Sequence, residues 1–420
     1  MLRIISEPWS ARTELRRIRE RFDDPDIRQK ESLVREIVDE VRLRKDDSLI
    51  EYTEKFYHQV LDPHQIKVSG SELDAAYQQV SQELLGAIER ACQKLEAFHR
   101  QRLPKPWVQF NDDGTVFARR YQPIASLGIH VPDGNRAYLS LLLQQAIPAR
   151  VAGVKRVILV SSPGAELRIH PAILVAAQEA GISEIYRVGG PQAIAALTYG
   201  TETIEPVDTI AGIGDFYVTL AKKLVADRVR VDSLYNASDL VIIADKRANP
   251  RRLAMDLLAQ AEQYSLASAI LFTTDKTLAA EVQERVHQQL QVHPQRLLTE
   301  KAIAHYGLIV VVDSIARAVE LSNSFAPSHL ELIVEEPWDL LPSIRQTGTI
   351  FLGASTPKAI GDYLGCNATS VENFLQSSIV IEYPADPFQK MSDTLETLAR
   401  SEGFISAVES IQSRVEGDGE

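Results

Sequence analysis

Few reactive side chains of this sequence stand in a motif. His329 lies in the segment NSFAPSHLEL (323–332), directly before an apolar run, where an imidazole can move protons or simply pack at a strand start. No histidine follows His329, and the two cysteines, Cys92 and Cys366, are far apart without CxxC spacing. Because zinc prefers imidazole and thiolate ligands, the sequence predicts neither a cysteine-rich zinc site nor a disulfide framework.

Two glycine turns lie between a predicted strand and a predicted helix, in VGGPQA (188–193) and AGIGDF (211–216). In dinucleotide-binding proteins a GxGxxG loop at this place lets the backbone approach a pyrophosphate. Both segments are incomplete matches, and glycines between a strand and a helix usually serve the turn alone. From the motifs alone, nucleotide binding is therefore the weaker interpretation.

The elements that must position these residues follow from the spacing of apolar side chains. From residue 14 to about 102, apolar residues recur at three- and four-residue steps, which predicts helices throughout. After Pro104 and Pro106, short apolar runs alternate with helices, which is typical of an α/β protein with mostly parallel sheets. The predicted strands are 156–160, 184–188, 207–211, 239–244, 269–273, 307–312, 330–334 and 349–352. The predicted boundary between two α/β series lies near Asn236, and a last amphipathic helix is expected over roughly 392–413.

The composition excludes several function classes. Lys and Arg number 45 against 57 Asp and Glu, a net charge of −12, so a broad basic face for nucleic acid is not expected. No apolar run approaches the length of a membrane span, and the N-terminus lacks the apolar core of a signal peptide. We therefore expect a cytoplasmic protein that binds neither nucleic acid nor membrane.

Longer segments carry a resemblance over almost the whole chain. They include GIHVPDGNRAYLS (128–140), QQAIPARVAGVKRVILVSSPG (144–164), VGGPQAIAALTYGTETI (188–204), LAQAEQ (258–263), TPKAIGDY (356–363) and SEGF (401–404). Together with NSFAPSHLEL they resemble the histidinol dehydrogenase family, which oxidises an amino alcohol, L-histidinol, to an amino acid in two NAD-dependent steps.

The resemblance implies two incomplete Rossmann-like α/β units, an architecture shared with aldehyde dehydrogenases, in which the first unit is interrupted by the second. A helical N-terminal arm and a C-terminal helical tail are expected to cross to the other subunit of a homodimer. We assign residues 1–25 to the arm, 26–130 plus 239–385 to the first unit, 131–238 to the second and 386–420 to the tail.

By resemblance, a zinc ion would be held by a Gln and a His three residues apart, an Asp in a TPEALGDY block and a His near the C-terminus. Gln260 and Asp362 match, but Gln263 and Ala407 stand where the two histidines would be. Amides and a single carboxylate make a poor zinc site, so we expect zinc not to bind. Gln260 and Asp362 could still hold a weak metal or an amine, although a hydrogen-bonded pair is the simpler expectation.

The family's Glu–His pair also differs. Its APEHLEL block reads APSHLEL here, so Ser328 replaces the base while His329 remains. A serine hydroxyl is no base near neutral pH, and losing a positioned base costs about 10²–10⁴ in rate. A family stretch after GDY, PNHVLPT, which supplies a further substrate-contacting histidine, is also missing. The substrate contacts that the resemblance assigns are Ser238, Gln260, His329, Asp362 and Glu402.

The cofactor positions survive in part. Gln192 matches the family. In the family's GxYVPGG block, however, His130 replaces the Tyr and Asp133 replaces the first Gly of the GG pair, and Asp215 replaces the Asn of a GPGN block. Because a carboxylate repels a pyrophosphate, we expect impaired NAD binding.

Three hypotheses follow for function. The first is a non-catalytic or repurposed paralogue that has lost the family reaction. The second is a zinc-independent, NAD-dependent alcohol dehydrogenase of altered specificity that uses His329. The third and least favoured is a genuine histidinol dehydrogenase.

Overall fold

The computed structural model describes residues 2–21, 26–58, 60–132, 137–164, 167–232, 239–365 and 369–415. Asp133, Ser238, Asn236 and Cys366 lie outside these ranges. The strands are β1 (Arg3–Ile5), β2 (Trp107–Phe110), β3 (Val116–Pro123), β4 (Ser126–Val131), β5 (Arg156–Ser161), β6 (Glu184–Tyr186), β7 (Thr209–Gly212), β8 (Arg230–Val231), β9 (Asp239–Ala244), β10 (Ser268–Thr273), β11 (Gly307–Val311), β12 (His329–Ile333), β13 (Thr349–Leu352) and β14 (Leu375–Glu382).

The helices are α1 (Pro8–Arg19), α2 (Ile27–Arg44), α3 (Asp46–Tyr57), α4 (Gly70–Tyr77), α5 (Gln82–Gln101), α6 (Leu139–Ala152), α7 (Pro171–Glu179), α8 (Gly190–Tyr199), α9 (Phe216–Val225), α10 (Pro250–Ala261), α11 (Lys276–Gln291), α12 (Arg296–Tyr306), α13 (Ile315–Phe325), α14 (Pro337–Leu340), α15 (Ala359–Leu364), α16 (Ala385–Ser401) and α17 (Ile405–Val415). The expected α/β class is confirmed, since helices cover two parallel sheets.

One unit is built on a six-stranded parallel sheet in the order β1-β11-β10-β9-β12-β13. Its central strands are continuous apolar runs such as LVIIA (240–244), which is typical of a sheet buried on both faces. Two clusters of buried aliphatic side chains lie on its two faces, one under α10–α12 and one under α1 and α13.

The other unit is built on a five-stranded parallel sheet in the order β6-β5-β4-β7-β8. Helices α2 and α3 pack on α8, α2 also packs on α9, and α5 packs on α6. Their buried stripes fill the two apolar clusters of this unit.

The structure groups two segments differently from the assignment made in the sequence analysis. Residues 27–101 and β4 belong with the five-stranded unit and not with 239–385, because the helices cover that sheet and β4 is its central strand. The N-terminal residues pack on the six-stranded unit of their own chain, because β1 pairs with β11 and α1 packs on α13. An amphipathic pattern shows that a helix needs a partner surface, but it does not show which surface.

A small antiparallel sheet and a helical tail extend from these units. The sheet has the order β14-β3-β2, and the tail consists of α16 and α17, which pack mainly against each other. The single last helix expected over 392–413 is broken at Gly403, whose φ of +77° ends α16. Within the described residues, no helix is long and apolar enough to cross a bilayer.

Candidate active site

The carboxyl edge of the five-stranded sheet has the topology of a nucleotide-binding edge. Strands β5 and β6 lie on one side of β4, while β7 lies on the other, so the strand order reverses beside β4. In open α/β sheets, ligands bind in the crevice at this switch point. His130 stands near the end of β4, fully buried, and its Nδ1 is 2.6 Å from the carbonyl oxygen of Ile213, which follows β7. Burial lowers the pKa of His130.

A buried ion pair holds the end of β7 in place. The Lys222 ammonium donates to the carbonyl oxygen of Gly212 at 2.9 Å and to Oδ1 of Asp232 at 2.5 Å. The second carboxylate oxygen of Asp232 accepts from the Gly212 amide at 3.0 Å. Gly212 has a φ of +96°, and an added Cβ would lie 2.1 Å from the His130 carbonyl oxygen, so only glycine fits here.

Gln192, in the first turn of α8, has the character of a ligand-binding residue. It is fully buried, and within the described part of the chain neither its amide nitrogen nor its amide oxygen has a hydrogen-bond partner. The same is true of Nε2 of His130. Because buried polar groups are nearly always satisfied, these atoms fit a polar ligand such as a dinucleotide at this edge.

Asp215, one of the expected cofactor positions, lies at the start of α9. Its carboxylate caps α9 by accepting from the Val218 amide at 2.9 Å. The side chain is exposed, and its charge, added to burial, raises the pKa of Tyr264, which follows α10. Asp215 and Tyr264 therefore mark the place where the carboxyl edge of the five-stranded sheet meets the other unit.

On the opposite side of this cleft, the amino edge of the six-stranded sheet carries the residues expected to bind substrate or metal. His329 is the first residue of β12, is buried, and stacks on Phe351 with ring centroids 6.1 Å apart. Side chains of alternate strand residues share a face, so His329 and Glu331 point to the same side of the sheet. Gln260 is fully buried and lies one helical turn after Asp256 on α10.

Three side chains meet directly at this edge. Oδ2 of Asp362 accepts from Nε2 of Gln263 and from Nζ of Lys358, both at 2.8 Å. The Lys358 ammonium also donates to Oε1 of Gln263 at 3.1 Å. From the five-stranded unit, the Gln144 amide donates to the backbone oxygen of Asp362. We call Gln263, Lys358 and Asp362 the lysine cluster.

Two carboxyl groups beside the lysine cluster have raised pKa values. Burial raises the pKa of Glu331 to about 8, and the charge of Asp256 adds to this effect. Burial also raises the pKa of Asp256 to about 6. One oxygen of Glu331 accepts from the Lys358 backbone amide at 2.7 Å. At neutral pH, Glu331 is therefore mainly a neutral acid that can donate a proton.

Three further positions singled out in the sequence lie outside the contacts described above. Glu402 ends α16 and Ala407 lies in α17, both exposed on the tail. Ser328 is half-buried before β12, and its carbonyl oxygen accepts from the Thr349 amide at 3.0 Å. Ser238 and Asp133 lie outside the described ranges.

The residues present do not fit a zinc ion. Across the described ranges, no three His, Cys, Asp or Glu side chains are grouped as ligands. Asp362 is already bound to an ammonium and an amide, and a fixed positive charge 2.8 Å away opposes a divalent cation. The amide donors of the expected set are poor zinc ligands.

The sequence reasoning missed Lys358, Glu331 and Asp256. A signal for Lys358 was present, since TPKAIGDY has lysine where the TPEALGDY block has glutamate. For Glu331 and Asp256 the signal is weaker: each is a single acidic residue within an otherwise apolar strand or helix face.

Two parallel α/β units that meet at a cleft, with a dinucleotide-type edge on one side, place the protein in the class of two-unit α/β enzymes. The sequence profile of histidinol dehydrogenase matches residues 20–415, and the chain belongs to this family. Histidinol dehydrogenase 2 of Nostoc sp. (strain PCC 7120) is 52% identical over the full length of both chains. Histidinol dehydrogenase of Synechococcus sp. (strain ATCC 27144) is 54% identical over 99% of each. The crystal structure of histidinol dehydrogenase from Elizabethkingia anophelis superposes with a TM-score of 0.91, at 31% identity, over 99% of this chain and 98% of that chain.

These relatives correct the first functional hypothesis. Proteins named histidinol dehydrogenase are 48–54% identical to this chain over 97–100% of their own length. Similarity of this extent supports a genuine histidinol dehydrogenase, so the expectation of a non-catalytic or repurposed paralogue is wrong. The alternative of altered specificity is not favoured either.

Proposed function

We propose that this protein oxidises L-histidinol with NAD, the reaction implied by its family. The observation that carries the proposal is the full-length identity of 48–54% to proteins named for that reaction, which spans both units of the cleft. NAD supplies the hydride acceptor. The remaining chemistry is the removal of a proton from the substrate hydroxyl, the addition of one water molecule to the resulting aldehyde, and the removal of a proton from the hydrate before the second hydride transfer.

The chain offers groups for NAD binding and for proton transfer. Within the described residues, the Gln192 amide and Nε2 of His130 are buried near the nucleotide edge without a hydrogen-bond partner, and they support NAD binding there. On the facing edge, His329 is a buried imidazole whose neutral form accepts a proton from a hydroxyl group. Glu331, with a pKa of about 8, is a buried acid on the same face of β12. We assign proton transfer to His329, without the participation of zinc.

We also propose that the protein works as a homodimer in the cytoplasm. The antiparallel sheet and the tail expose large apolar side chains, including Trp107, Phe110, Ile379 and Phe404. Contiguous apolar surface of this kind is unusual on a monomer and supports a partner surface. Cys92 is a free, buried thiol, in keeping with a reducing compartment.

The test is NADH formation by the purified full-length protein with L-histidinol, together with NAD binding by calorimetry. Gln192→Leu removes the buried amide while keeping the side-chain volume. Since a buried amide without a partner costs about 1–3 kcal/mol, we expect the ligand-free variant to be at least as stable as the wild type. The stabilisation of the fold by NAD should be lost.

The exposed Gln78 provides the control, as Gln78→Leu should change neither property. NAD binding without NADH formation from histidinol would show that L-histidinol is not the substrate. Unchanged NAD binding by Gln192→Leu would instead show that the nucleotide lies elsewhere.

A further inference from the structure

The lysine cluster lies at the amino edge of the six-stranded sheet, with Lys358 on its buried side and Gln263 on its exposed side. The Lys358 side chain is 5% exposed and that of Asp362 is 17% exposed. The lysine reaches across to Gln263, which lies 95 positions earlier in the chain, and to Asp362 on the next helical turn. Ordering a long, flexible lysine side chain costs conformational entropy, and the hydrogen bonds to Asp362 and Gln263 offset that cost.

The carboxyl groups around Lys358 explain why a positive charge is needed here. Glu331 binds the backbone of Lys358, Asp362 binds its ammonium, and Asp256 interacts electrostatically with Glu331. These are three carboxyl groups in a mostly buried place, and from the other side Arg252 acts on Asp256. Burying carboxylates without a cation is costly, whether the cation is a metal ion or an ammonium group.

We propose that the Lys358 ammonium is the built-in cation of this site and that it keeps a divalent metal ion out. A metal ion that bound Asp362 would have to displace the ammonium from both Asp362 and Gln263. The displaced lysine would remain beside the metal and repel it, because its neighbours leave it mostly buried. The inference concerns the site itself and stands whether or not L-histidinol is the substrate.

The chain's own residues suggest how to reverse this exclusion. Lys358→Glu turns the cation into a further carboxylate, and Gln263→His adds an imidazole on the other side of Asp362. The double variant offers a His, a Glu and an Asp in contact, which is a suitable donor set for zinc. Lys301→Glu is the matched control, since Lys301 is an exposed lysine on α12.

The experiment measures zinc per chain after incubation with zinc and removal of the free ion, together with the effect of zinc on the melting temperature. We expect far less than one zinc per chain for the wild type and for Lys301→Glu, with no shift of melting temperature. We expect Q263H/K358E to melt lower than the wild type without metal, to bind zinc, and to gain stability on zinc addition.

One tightly held zinc per wild-type chain would overturn the proposal. So would a folded double variant that zinc does not stabilise. If the double variant fails to fold, Lys358→Met decides: we expect a lower melting temperature that zinc partly restores, and wild-type stability without any zinc effect would refute the role of Lys358.

Activity separates this inference from the proposed function. Oxidation of histidinol that a chelator abolishes would contradict the lysine as cation but would leave the reaction assigned. A protein that held no metal and did not oxidise histidinol would support the lysine as cation and would contradict the proposed reaction.

Discussion

At the scale of single residues, the buried pair of Lys222 and Asp232 gives the clearest stability prediction. Lys222→Met leaves Asp232 and the Gly212 carbonyl oxygen without their cation at the nucleotide edge. Removing one partner of a buried pair typically costs about 3–5 kcal/mol. We expect a loss of this size in the free energy of unfolding, measured by urea titration. The neighbouring Lys223 is exposed, so Lys223→Met should cost under about 0.5 kcal/mol, as surface substitutions usually do. Equal effects of the two substitutions would show that the pair is not stabilising.

Single residues also show how far the sequence could predict the site. The resemblance placed Gln260, Gln263 and Asp362 together, and the structure brings Gln263 and Asp362 into direct contact. It did not predict that Lys358 would bind both, because that contact depends on how the end of α10 packs against the segment before α15. The resemblance also did not predict that Asp215 caps its own helix, since the cap depends on local backbone geometry.

At the scale of elements, the start of α8 must approach β5 very closely. An added Cβ at Gly189 would lie 1.7 Å from the Ser162 Oγ and 2.9 Å from the Ser162 Cα. Backbone atoms cannot give way as a flexible side chain can, so Gly189→Ala forces α8 away from β5. Overpacking of this kind costs about 1–3 kcal/mol. We expect that loss in the free energy of unfolding, with weaker NAD binding because Gln192 moves with α8.

The control for this element is Gly70, which begins α4 and would place its Cβ in open space. Gly70→Ala should leave both stability and NAD binding near the wild-type values. If Gly189→Ala weakened neither, the start of α8 would not be the tight contact that positions Gln192.

The elements themselves follow from the sequence better than their grouping does. Strands such as 156–160 and 239–244 were predicted within one residue, because buried parallel strands are continuous apolar runs. The assignment of 27–101 to a unit failed, since the amphipathic stripe of a helix fits either sheet. The break at Gly403 was also missed, because the apolar spacing continues through it.

At the scale of the whole molecule, the site lies between two units whose sheets face it with opposite edges. The five-stranded sheet presents its carboxyl edge, with Gln192 and His130, while the six-stranded sheet presents its amino edge, with His329. The Gln144 contact with Asp362 joins the two sides. Each unit alone would carry half of the chemistry, so the cleft depends on the interface between the units.

At the same scale, one face of the antiparallel sheet leaves large apolar side chains exposed. Ile379 on β14 and Trp107 on β2 both pair with Arg119 of β3, so they lie on one face of the antiparallel sheet. Ile379 is 70% exposed, and the next residue on that face, Ile381, is also exposed. Large apolar side chains exposed together on one face are unusual on a monomer and indicate a surface that another chain covers. A second copy of this chain would cover it and would bring the tail with Glu402 towards a neighbouring cleft.

Ile379→Glu tests this arrangement, because a carboxylate on this face would lose its water when the face is buried against a second chain, even with Arg119 opposite it. We expect light scattering to give twice 46.7 kDa for the wild type and a single chain for the variant, with an unchanged circular dichroism spectrum. Leu297→Glu is the control, since Leu297 is 87% exposed on α12, away from this sheet, and its substitution should leave the mass unchanged. A wild-type mass of one chain would refute the dimer, whereas an Ile379→Glu variant that keeps twice the mass would place the contact on another surface. In the dimer that we propose, the tail would approach the cleft of the second chain, so dissociation by Ile379→Glu should also lower the rate of histidinol oxidation, while Leu297→Glu should not.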